Sequence, residues 1–175
     1  MHSASSVLIR APRDRIFAVT SNLENWVPML PHYRYINFLE RSEDGLRNKV
    51  EMACYRGRIP VSWLSIHEVK PDTMEVHFTH LRAFTKGMVV VWRYEPQDDG
   101  TVKVTITHDL KFRVPVLAPL AEPIIGRGFI DPVANKTLAT FKAILEAEAE
   151  AEAKAAPGNE AESGTAPGTG GGGEA

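Results

Sequence analysis

A chain of 175 residues, 43% hydrophobic and 24% charged, suits one globular domain with a true core. The formal charge of -2 hides a split: Glu148, Glu150, Glu152, Glu160, Glu162 and Glu174 face only Lys154, so residues 1–147 are mildly positive, yet without the Lys/Arg cluster that nucleic acid would require. One cysteine, Cys54, excludes an internal disulfide, and no run reaches the roughly 18 apolar residues of a membrane span or forms a secretion signal, so a soluble, cytoplasmic protein with no integral membrane segment is expected.

Residues 5–10 read as a short strand ended by Ala11-Pro12, and Pro12 suits a helix start. Ile16, Phe17, Val19 and Leu23 give that helix an apolar stripe, and Pro28 and Pro31 are expected to stop it near Asn25. From 33 to 112 the pattern changes to strands at 34–41, 46–55, 59–69, 73–80, 87–95 and 101–112. The turns fall at Glu43-Asp44-Gly45, Arg56-Gly57, Pro71-Asp72, the 81–86 loop and Asp98-Asp99-Gly100. Turn residues between β-rich runs predict hairpins, hence an antiparallel meander. Two runs alternate cleanly: Met74, Val76, Phe78 and His80 share one face, and so do Val102, Val104, Ile106, His108, Leu110 and Phe112.

Beyond Pro115 the period is helical again. A short apolar piece at 117–125 is expected to break at Gly126-Arg127-Gly128, which kinks the chain over a cavity mouth. Asp131-Pro132 then reads as an N-cap and first-turn proline. Ile130, Val133, Thr137, Leu138, Phe141, Ile144 and Leu145 form one stripe over four turns. The Ala/Glu run is expected to carry the helix into solvent over 148–156, and the Gly/Pro/Glu-rich composition of 157–175 to be disordered.

The predicted fold is α+β: a curved antiparallel sheet of about seven strands wrapped around a long C-terminal helix. A helix about 10 Å across is narrower than such a sheet, so space is left between them. Side chains either fill that space or line an internal cavity.

The stretch 9–26, residues 100–114 and the final helix resemble the START-like helix-grip superfamily, in the right order over roughly 5–147. Within it the chain is most similar to bacterial polyketide cyclase/aromatase domains: Trp26, Pro28 and Tyr33 match one segment, and Met88, Trp92 and Tyr94 another. The resemblance implies a deep hydrophobic cavity lined by those Trp, Tyr and Met positions. It departs at one point, where a family arginine late in the middle strand is met by Glu68, with His67 adjacent.

The candidate catalytic residues are Tyr33, to donate a hydrogen bond to a ligand carbonyl, and His108, an imidazole able to move a proton near neutral pH. The candidate ligand-binding set is Trp26, Trp63, Phe78, His80, Met88, Trp92, Ile106, Leu138 and Phe141. For each, plain core packing is the competing reading. Arg56, Arg58 and Arg82 are cations near strand ends, and Glu68 either faces water or marks a site. The histidines lack ligand spacing, His77 and His80 point to opposite faces, and no CxxC or HExxH occurs, so neither metal nor cofactor is expected. The partner expected is a bulky apolar or aromatic small molecule, polyketide-like or lipid, gated by 81–87 against 115–128. The rival functions are a non-redox cyclase, aromatase or dehydratase, a lipid or quinone carrier without turnover, and an assembly subunit with a vestigial pocket.

Overall fold

The computed structural model describes residues 1–111 and 126–155; the expectations for Phe112, for the 117–125 piece, for the 115–125 side of the gate and for the tail lie outside them. Seven strands form one sheet: β1 (His2–Ile9), β2 (Tyr33–Arg41), β3 (Arg47–Arg56), β4 (Ile59–Lys70), β5 (Glu75–His80), β6 (Val89–Pro96) and β7 (Val102–Asp109). Their spatial order is β1-β7-β6-β5-β4-β3-β2, with every neighbouring pair antiparallel. Five hairpins in succession plus β1 returning against β7 make an open, curved sheet. Its concave face is covered by α3 (Asp131–Ala155), a 25-residue helix.

The alternation read from β7 is that of the structure, with Val102, Val104, Ile106 and His108 buried and the residues between them more exposed. β5 behaves likewise, placing Val76, Phe78 and His80 inward, but Met74 belongs to the preceding turn at φ 50 rather than to the strand. β1 begins earlier than expected because it pairs with β7 along its whole length, from His2 opposite Asp109 to Ile9 opposite Val102. Arg10, expected in the strand, instead gives its N–H to Glu146 Oε1 at 2.8 Å.

Two helix boundaries differ from expectation. α1 (Arg13–Ser21) ends at Asn22, whose extended backbone breaks the run, and a 3-10 turn at Leu23–Asn25 leads into a second short helix, α2 (Trp26–Met29). Pro28 therefore does not stop a helix. It sits in the first turn of α2, where its missing N–H removes no bond. Asp131 is not a free N-cap either, because one π-helical turn at Gly126–Ile130 runs directly into α3. Its carboxylate instead accepts a hydrogen bond from the Ser3 hydroxyl and joins α3 to β1. The α3–β1 seam continues with Lys142 Nζ on the Leu8 carbonyl at 2.6 Å, and α1 is tied to the same helix by Arg15 on Glu148 at 2.8 Å.

Candidate functional site

The side chains of the concave face decide what the space beneath α3 becomes. Trp26 enters from α2, held by its indole N–H on the Thr20 carbonyl at 2.9 Å. Around it stand Tyr33, Phe78, Trp92 and Phe141, with ring centroids 5.2, 6.0, 5.6 and 5.7 Å away. Inward-pointing β3, β4, β5, β6 and β7 side chains complete the wall, and α3 forms the roof with Val133, Ala134 and Thr137. A pocket of about 350 Å³ remains between them.

Of the residues singled out in the sequence, Tyr33, His108, Trp26, Trp63, Phe78, His80, Met88, Trp92 and Ile106 all border this pocket. Leu138 and Phe141 do not. Both are essentially fully buried, and the Phe141 ring is wedged against Trp26 and Trp92, so they belong to the packed core beyond the pocket's end. Tyr94 is also away from it: it is 2% exposed, with its hydroxyl paired to Thr20 Oγ1 at 2.7 Å. Sequence reasoning missed Met52, Cys54, Val61, Val90, Ala134 and Thr137. Asn48, Val50, Met52 and Cys54 alternate along β3 and were a readable signal for two of them.

Glu68 faces outward and pairs with Arg47 Nε at 3.2 Å. The inward residue at that level of β4 is His67, 2% exposed against the Phe78 ring, since Trp63, Ser65 and His67 share one face of the strand. Neighbouring residues of a strand point to opposite sides, so the choice between 67 and 68 decides whether a side chain can meet a ligand at all. Arg82 pairs with Glu51 at 2.5 Å, and Arg56 lies over the Phe129 ring at 5.5 Å. Thr85 and Met88 border the pocket on the side of the 81–87 loop, and Phe129 and Ile130 on the side of the π-helical turn.

The polar groups of the pocket are held uncharged. Burial lowers His108 to about 4, although Asp131 and Asp109 pull the other way. Burial, helped by the nearby His108, lowers His80 to about 3. The His80 ring stacks 6.0 Å from Trp63 with an interplanar angle of 2°, and its Nδ1 meets Thr85 Oγ1 at 2.9 Å. Burial pushes the Tyr33 phenol up, with the Thr137 hydroxyl opposing, and pushes the Cys54 thiol to about 11. At neutral pH the wall therefore offers aromatic faces, a phenol, hydroxyls, a thiol and neutral imidazoles. Among the described residues no three His, Cys, Asp or Glu side chains gather to hold a metal, and no helix is long and apolar enough to cross a membrane.

An open antiparallel sheet curled around one long helix, with an apolar pocket between them, defines a helix-grip protein of the START-like type. The chain belongs to the family described as polyketide cyclase / dehydrase and lipid transport, whose model matches residues 9–135. A relative named "Putative polyketide cyclase" from Streptomyces halstedii is 28% identical over 104 residues, which is 58% of this chain and 94% of that protein. The crystal structure of a Thermus thermophilus protein superposes with a TM-score of 0.69 at 16% identity, covering 85% of this chain and 99% of the other. An aromatase/cyclase from Streptomyces sp. R1128 superposes with a TM-score of 0.62 at 18% identity, covering 90% and 98%. At those identities the two structures speak for the fold alone.

Proposed function

We propose that the protein binds a bulky, planar, uncharged molecule of polyketide type in the pocket under α3. The observation that carries this reading is the composition of the wall: Trp26, Trp63, Phe78 and Trp92 around about 350 Å³, with no charged side chain at neutral pH among the described lining residues and a few polar atoms for orientation. Aromatic contacts contribute roughly 0.5–1.5 kcal/mol each beyond burial, and a flat ligand meets several at once. The family membership and the named relative point to the same chemical class.

Catalysis of ring closure is a second reading, favoured by Tyr33. A phenol that burial keeps protonated donates well to a carbonyl oxygen on which negative charge develops. His108 and His80 fit the proton-moving role poorly, because imidazoles lowered to about 4 and about 3 are weak bases at neutral pH. The pocket's chemistry is then proximity: it folds a poly-β-ketone so that carbon meets carbonyl, Tyr33 steadies the oxygen, and water accepts the proton.

Occupying the pocket with a side chain tests the binding reading. Ala134 lies in the roof and is 5% exposed, so Ala134→Phe projects a ring into the space. A hydroxyanthraquinone should quench tryptophan fluorescence saturably in the native protein, and the substitution should weaken it at least about ten-fold with the circular dichroism unchanged, since a displaced ligand loses most of its apolar contact. Equal affinity in the two proteins would sink the reading.

A further inference from the structure

Thr137 stands in the middle of α3, where a threonine hydroxyl ordinarily donates to the carbonyl four residues earlier. Thr140 does so, to Lys136 at 2.8 Å. Thr137 makes no such bond to Val133 among the described residues; its oxygen lies 3.0 Å from His32 Nε2 instead. His32 is 3% exposed, and its other ring nitrogen, Nδ1, is buried without a hydrogen-bond partner among the described residues. A neutral imidazole carries its proton on one nitrogen only. A proton on Nδ1 would bury an orphaned N–H, whereas a proton on Nε2 leaves only a bare lone pair, the more tolerated arrangement. The tautomer assigned by these partners therefore has His32 Nε2–H donating to Thr137 Oγ1.

With its oxygen accepting from His32 and no backbone carbonyl among the described residues taking its proton, the Thr137 hydroxyl can turn its proton toward the Tyr33 oxygen or toward a ligand oxygen beside it. It borders the pocket beside the Tyr33 hydroxyl, whose phenolate form it favours. We infer that Thr137 is a second hydrogen-bond donor to the bound molecule, set in place by His32, and that the Thr137 and Tyr33 hydroxyls meet one ligand oxygen from the α3 side. This rests on the pocket reading above and narrows it: the ligand carries a carbonyl oxygen, or an oxygen on which negative charge can develop, at that end, and a bare hydrocarbon would leave two donors unmet. His32 acts through Thr137 and is a positioning residue. Burial and the nearby Lys136 lower it to about 4, so it donates as a neutral ring across the physiological range.

The test uses two probes of matched shape, 4-nitro-1-naphthol above its pKa and 1-nitronaphthalene, which lacks the oxygen. Thr137→Val keeps the shape of the side chain and removes the donor. A hydrogen bond to a charged oxygen is worth roughly ten- to a hundred-fold in affinity, so the naphtholate should weaken by that factor while nitronaphthalene stays within about two-fold. Thr137→Ser should restore naphtholate binding. His32→Gln, which keeps an N–H donor, should retain it better than His32→Leu. The absorption band of the bound naphtholate should move to longer wavelength in Thr137→Val, a signature that a merely structural role would not give. Equal loss of both probes, unchanged naphtholate affinity, or failure of serine to restore it overturns the inference while the pocket reading stands. If the native protein binds neither probe, the pocket reading falls and the donor pair with it.

Discussion

Thr137, Leu138 and Phe141 share one stripe of α3, yet only Thr137 borders the pocket. The stripe was legible because a 3.6-residue period needs nothing but the sequence. How deep the sheet's side chains reach under each turn of the helix was not, because it depends on Trp26 and Trp92 arriving from α2 and β6. Their rings meet Phe141 at 5.7 and 6.3 Å and close the space there. Phe141 is 0% exposed, so Phe141→Ala is expected to cost about 3–5 kcal/mol through lost burial and the cavity left behind. Urea unfolding of the two proteins measures this; a loss below about 1 kcal/mol would show that the neighbouring rings collapse into the gap. His67 teaches the converse. One residue separates it from Glu68, and only the register of β4 with Phe78 on β5 shows which of the two faces inward.

At the scale of elements, hairpins were readable from their turns, and the ends of strands were not. Gly57 is the clearest case. Arg56 pairs with Ile59, so the β3–β4 connection is the two-residue loop Gly57-Arg58. Gly57 has φ 61, and Arg58 is not among the positive-φ residues, which is the pattern of a turn with glycine at its first central position. Space around Gly57 is open, so a larger side chain there meets backbone strain and no clash. Gly57→Val should therefore lower stability by about 1–3 kcal/mol, as a β-branched residue in the left-handed region costs. Chemical denaturation would show it, and an unchanged midpoint would mean that the turn relaxes to another form. Met74 at φ 50 and Ala83 at φ 61 occupy the same region without glycine, so although Pro71-Asp72 and the 81–86 loop marked these turns, nothing in Met74 itself showed that the turn extends through it and that β5 starts only at Glu75.

Across the whole molecule the common thread is buried neutral imidazole. His32, His67 and His108 are lowered to about 4 and His80 to about 3, chiefly by burial, and three of them hold a ring nitrogen without a partner among the described residues. Among the described residues the charged or titrating groups that act on them are Lys136 near His32, Asp109 and Asp131 near His108, and His108 near His80. In the unfolded chain each imidazole titrates near 6.5, so between about pH 6.5 and 4 the unfolded state binds more protons than the folded one. Stability then rises with pH across that window, is fully present above the unfolded value, and is lost as the solution is acidified toward the folded values. From pH 7 to 5 each of these histidines is expected to remove on the order of 1–2 kcal/mol, several kcal/mol together. Carboxylates held low by partners, such as Glu75 beside His77 and Arg93, and Glu146 beside Lys142, lose their contribution mainly below the ordinary carboxylate range, so they do not account for a fall above pH 5. Thermal or urea midpoints at pH 7, 6 and 5 decide the matter. A midpoint that stays level over that range would mean that the four rings accept protons without opening the core, and that the pocket is wetter than its walls imply. Because His80 and His108 border the pocket and stay neutral in the folded protein until about pH 4 and 3, affinity for an uncharged planar ligand should hold from pH 7 to 5 while the midpoint falls, and should drop only below that window, where charge enters an apolar site.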